Sequence, residues 1–224
     1  REFSILAILG TLALIYLICY AATAVYRNKD ASLLLFAVAC ALFAVYHGLV
    51  GERTLLLLLP DAAFETMYKT KDIASMAGLI ALSAFFYKLQ KDMVPLRLLQ
   101  AVTAVLGTFL ILVGLLPVRI YTVIQVFVIF MYEALLIWML LKAAVLFVRS
   151  APRGRLKTLL LFMAVLMINL YSLDIILFAL SWKENLWLSQ FYIVVFNVVV
   201  LFLVVLRFFE AYQTVDEMKN RLLQ

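Results

Sequence analysis

Uncharged apolar runs recur along the chain at the length of a bilayer crossing. Residues 5–26 form one such run and residues 31–51 a second, in which His47 is the only ionisable side chain. Residues 98–118 and 185–206 are equally clean, 120–141 is broken only by Glu133, and 158–182 only by Asp174. The run at 73–87 is shorter, so its helix is expected to begin near Phe64 with charges in its first turns. A transmembrane helix needs about 20 apolar residues, and a long apolar run without strand-like alternation argues for such a helix. The pattern predicts seven helices, near 4–26, 31–50, 64–88, 96–116, 120–148, 158–181 and 187–206.

Composition narrows the class. Of 224 residues, 67% are apolar and 14% charged, with a mean hydropathy of +1.11. A soluble domain has about half apolar and a quarter charged residues, so a water-soluble globule, a disordered chain and a disulfide-stapled module are excluded. Cys19 and Cys40 both lie in apolar runs and read as small buried hydrophobes. Ala22-Thr23-Ala24 resembles a cleavage site, but the run before it is too long and lacks a basic leader. A chain that begins on Arg1 is expected to be a piece of a longer protein.

The net charge of +6 reads first as the loop bias that orients membrane proteins. With the N-terminus outside, 13 of the 19 Lys and Arg fall on the inner side and 6 on the outer. The densest cluster, Arg149, Arg153, Arg155 and Lys157, surrounds Pro152 and Gly154 and marks an inner turn. Trp182 and Trp187 flank the outer end of helices six and seven as interfacial anchors. The loop at 51–64 holds five leucines at 55–59, suited to the outer surface or to a docked outer domain.

Past Leu206 the apolar run gives way to an amphipathic stretch. Phe208, Val215 and Leu222 fit heptad position a, and Ala211 and Met218 fit position d, the pattern of a parallel coiled coil. Two heptads admit two readings: a cytoplasmic dimer helix, or an amphipathic tail of helix seven.

Ionisable groups at bilayer depth are costly and face the bundle interior or water. The ligand-binding or polar-network candidates, ionisable groups together with two asparagines, are His47, Lys69, Asp72, Glu133, Asn169, Asp174 and Asn197. Glu65, Lys69 and Asp72 share one helical face by their spacing. The deepest groups come mainly from helices three, six and seven, which predicts a polar cavity opening outward. Three uses stay open: a hydrogen-bond network that fixes packing, a ligand or ion-sensing pocket, and a proton path. No cluster has metal-ligand spacing, and neither a phosphate loop nor a nucleophile elbow is present. Helix seven lacks a lysine between 185 and 206, so a retinal Schiff base there is excluded.

Several segments carry a resemblance. They are Tyr26-Arg27-Asn28-Lys29-Asp30, Gly51-Glu52-Arg53, Leu116-Pro117-Val118-Arg119-Ile120-Tyr121, Leu173-Asp174-Ile175-Ile176, and Arg207-Phe208-Phe209-Glu210-Ala211-Tyr212 leading into Val215-Asp216-Glu217-Met218-Lys219-Asn220. Their order and spacing resemble the membrane region of bacterial seven-transmembrane receptors with diverse intracellular signalling modules. The resemblance implies an outer sensor domain before helix one. It also implies an output module after helix seven: a histidine kinase, a diguanylate or other nucleotide cyclase, or a phosphatase. It further implies that Asp174 occupies a recurrent acidic position, and that Asp72 stands where the family often has Glu.

The expectation is therefore an all-α polytopic membrane protein with seven transmembrane helices, N-terminus outside and C-terminus cytoplasmic, in the bacterial inner membrane. Residues 1–206 form the receptor domain and 207–224 begin a signalling helix. The chain itself is expected to be no enzyme and to need no cofactor. Its partners are the bilayer, a sensor and an output domain of the same protein, and a second copy through the extension of helix seven; nucleic acid is not among them. The rival reading is a small-solute or proton transporter using the intramembrane carboxylates.

Overall fold

The computed structural model describes residues 2–25, 31–50, 63–184 and 187–222. Among them every long element is a helix: α1 (Glu2–Val25), α2 (Ala31–Leu49), α3 (Phe64–Leu89), α4 (Leu96–Leu115), α5 (Val118–Arg149), α6 (Arg155–Ala179) and α7 (Trp187–Leu222). All seven are long and apolar enough to cross a membrane, and the described residues include no strand. The protein is an all-helical multi-pass membrane protein. Large apolar side chains such as Ile18, Leu115, Phe127 and Phe202 are more than half exposed, a surface that lipid solvates and water does not. The segments at 26–30 and 51–62, which hold the first resemblance motif, Gly51-Glu52-Arg53 and the five leucines, lie outside the described residues.

Proline sets the breaks between several helices. Leu116 precedes Pro117 and is extended (φ −94°, ψ 150°), because a following proline ring disfavours the helical region. The Pro117 carbonyl then accepts the Ile120 amide at 3.0 Å, opening α5. Pro95 stands at the start of α4, and Pro152 begins a short 3-10 turn, Pro152–Gly154, that leads into α6.

The chain divides into two compact units, Arg1–Tyr132 and Glu133–Gln224. In the first, α2 packs on α1 and on α3, and α3 packs on α4. Its core is aromatic: the Tyr16 ring meets Phe36 edge-on with centroids 4.7 Å apart, and Phe36 lies 4.7 Å from Phe85. Tyr132 donates to the Leu79 carbonyl at 3.2 Å and lies 3.1 Å from the Ser83 hydroxyl, tying the first half of α5 to α3. Gly78 sets the approach of α2 to α3, since a Cβ there would stand 3.3 Å from the Phe43 ring. Gly78→Leu is expected to cost about 1–3 kcal/mol by overpacking, measured by unfolding in mixed micelles, and Phe43→Ala in the same chain should recover part of that loss.

In the second unit α6 packs on α7. Asn169, buried in α6, donates to Leu136 O of α5 at 3.1 Å and to Val165 O of its own helix at 2.8 Å. Nearer the chain's basic turn, Phe147 and Phe162 stack with centroids 6.3 Å apart.

The end of α6 is a Schellman motif. Ser181 has φ 60°, its amide donates to Phe178 O at 3.0 Å, and the Trp182 amide donates to Leu177 O at 3.0 Å. That closure ends α6 at Ala179, two residues before the expected end. The apolar span of α7 and the amphipathic stretch beyond residue 206 form one continuous helix, Trp187–Leu222, of 36 residues.

Candidate functional site

The intramembrane carboxylates sit in different settings, each fixed by the helix that carries it. Asp72 lies eight residues into α3 and is 1% exposed. Its Oδ2 accepts the Tyr121 hydroxyl at 2.9 Å and its Oδ1 accepts the Gln125 amide at 3.0 Å. Tyr121 and Gln125 are one turn apart on α5, so they share a face. The Lys71 ammonium stands 3.2 Å from the same Oδ1 and 3.6 Å from the Tyr68 ring centroid. Asp72 is thus reached by a phenol, an amide and a lysine.

Lys69, which the spacing places on one face with Glu65 and Asp72, pairs with Glu65 at 3.0 Å. The cause is local, because Glu four residues before Lys is the favoured ion-pair spacing on a helix. The cation at Asp72 is therefore Lys71, not Lys69. His47, near the end of α2, sets its ring edge-on to Tyr46 with centroids 5.4 Å apart.

Asp174 is 5% exposed near the C-terminal end of α6. Its Oδ1 accepts the Lys183 ammonium, and its Oδ2 accepts the backbone amide of Ser189 at 2.8 Å. Ser189 is the third residue of α7, where amides have no partner within the helix and negative charge is stabilised by the helix dipole. Asp174 therefore caps the next helix from across the turn while neutralised by the lysine of that turn. Asn197, buried two turns further along α7, donates to Ile193 O at 2.7 Å.

Glu133 differs from both. It is 6% exposed, and neither carboxylate oxygen has a hydrogen-bond partner among the described residues. Ser172 of α6 is near enough to act on the carboxyl, but outside hydrogen-bond geometry. Phe208, Ala211, Val215, Met218 and Leu222 all fall on the helical backbone of α7, and the side chains from 210 onward, like that of Phe208, lie outside the described residues.

Sequence reasoning missed Lys71, Tyr121, Gln125, Lys183 and Ser189. For two of them a signal was present: Tyr121 and Gln125 stand one turn apart at the same end of their helix as Asp72 does of its own. Among the described residues no group of three His, Cys, Asp or Glu converges as metal ligands would. Comparison of the chain with protein-family models, curated proteins and solved structures gave no match in any of the three.

Proposed function

We propose that this chain is the core of a transmembrane receptor. It couples an extracytoplasmic ligand or sensor domain to a cytoplasmic output module, a kinase, cyclase or phosphatase, through α7. The observation that carries this reading is the unbroken helix Trp187–Leu222. At 1.5 Å per residue it is about 54 Å long, against about 30 Å of bilayer hydrocarbon. Its apolar span ends at Arg207, so the remaining four turns leave the membrane as a continuation of the same rod. Its other end is held by Asp174, which gives an event at the turn before α7 a direct hold on the rod.

The excess of basic residues on one side, 13 against 6, orients the chain with its N-terminus outside and its C-terminus in the cytoplasm, here the bacterial inner membrane. The heptad positions beyond Arg207 supply the face for a homodimer. In this reading the resemblance to bacterial seven-transmembrane receptors with intracellular signalling modules supplies the class of output. Fusions at the two ends test the orientation: alkaline phosphatase should be active before Arg1 and inactive after Gln224, and a fluorescent cytoplasmic reporter should show the opposite. Reporters that place both ends on one side remove the basis of the reading.

A second reading rests on Glu133. A buried carboxyl with both oxygens unpartnered is a feature of proton and solute paths. Flux measured in liposomes separates the two, since a receptor core moves neither protons nor solutes.

A further inference from the structure

The Lys71 ammonium is held as a bound organic cation would be. It stands 3.6 Å over the Tyr68 ring and 3.2 Å from a buried carboxylate, and that carboxylate is itself fixed by Tyr121 and Gln125. An aromatic face beside a negative charge is the pairing by which proteins hold protonated and quaternary amines. Apolar packing would stabilise a membrane helix at least as well as a buried ion pair, so an ion pair at this depth points to a use. The niche is not sealed. The Lys71 side chain keeps 17% of its surface exposed, and Glu65, Thr66 and Thr70 on the same end of α3 are exposed.

We infer that the Tyr68–Asp72 niche is a binding site for a small organic ammonium ion, occupied by the ammonium of Lys71 until a ligand displaces it. The exchange is charge for charge. The incoming cation takes the ring face and the carboxylate, and the four-carbon arm of Lys71 carries its own charge out to the helix end. Competition from the tethered lysine weakens the apparent affinity by the fraction of time the niche is filled. The inference rests on the receptor reading only for its consequence, which is that ligand binding frees Lys71 at the end of α3 assigned to the outside.

The full chain in nanodiscs, titrated with tetramethylammonium or methylammonium chloride against sodium chloride of equal ionic strength, provides the test. Ligand that binds the folded state raises the unfolding temperature. The wild-type chain should show a saturable rise with either ammonium salt beyond that with sodium. In Lys71→Met the midpoint should fall by about tenfold or more, and Asp72→Asn should abolish the response. If Lys71→Met does not fold, Tyr68→Leu, which leaves the ion pair in place, should raise the wild-type midpoint. Equal responses to ammonium and sodium salts overturn the inference. So does a response in Lys71→Met with none in the wild type, which would make the lysine a permanent occupant. Failure here leaves the relay through α7 standing, because that is read from a reporter beyond Gln224; failure of the relay leaves the titration unchanged.

Discussion

A single residue inserted after Gln213 is expected to abolish or invert the output of a dimer-dependent reporter fused beyond Gln224, and a seven-residue insertion is expected to restore it. The reason is geometric. Each helical residue advances the rod by 1.5 Å and turns it by about 100°. One added residue therefore swings the downstream face away from its partner, whereas seven bring it back to within about 20°. Because Trp187–Leu222 is a single helix, no break between the insertion and Leu222 absorbs the rotation. A series of one to seven inserted residues, read as reporter activity, should oscillate with the helical period. A flat series would show that the cytoplasmic end does not depend on the orientation of α7, and the mechanical relay would be lost with it.

Asp174→Ala is expected to destabilise the protein by about 3 kcal/mol, the scale of breaking a buried ion pair by removing one member. The loss has two parts: the Lys183 ammonium is left without its carboxylate, and the Ser189 amide loses its cap. Asp174→Asn keeps an acceptor for the amide and should cost less. Lys183→Met leaves the cap but removes the neutralising charge, and should fall between the wild type and Asp174→Ala. Unfolding in mixed micelles measures all three. A loss below about 0.5 kcal/mol for Asp174→Ala, the level of an ordinary surface substitution, would mean that the N-terminus of α7 is held by other groups. In the receptor reading the same variant should also uncouple the reporter, since it frees the end of the rod that faces the turn.

The helices were legible because the bilayer admits few alternatives: an apolar run of the right length has little to form except a spanning helix. Helix ends were less so. The end of α6 moved to Ala179 because the left-handed residue that closes it is a serine, and the sequence cue for such a closure is glycine. The continuation of α7 past residue 206 was legible, because the change from apolar to charged residues marks where the surroundings alter while the heptad spacing carries the helix on. The polar contacts were the least legible part. Helical spacing put Glu65, Lys69 and Asp72 on one face, where Glu65 holds Lys69, but it gave no sign that Lys71 stands over the Tyr68 ring and against the acid. Tyr121 and Gln125 join Asp72 from 49 and 53 residues away, a pairing between helices that periodicity along one chain does not encode.

The corner at Ser181 has a consequence for which sequences can build this protein. A positive φ there imposes a handedness that side chains branched at Cβ resist strongly and glycine or asparagine accept readily. Saturation mutagenesis of codon 181, scored by the yield of folded protein, should therefore enrich glycine and asparagine above the native serine and deplete valine, isoleucine and threonine. The approach of Lys183 to Asp174 follows directly after this corner, so selection on one backbone angle also protects a charge contact two residues away.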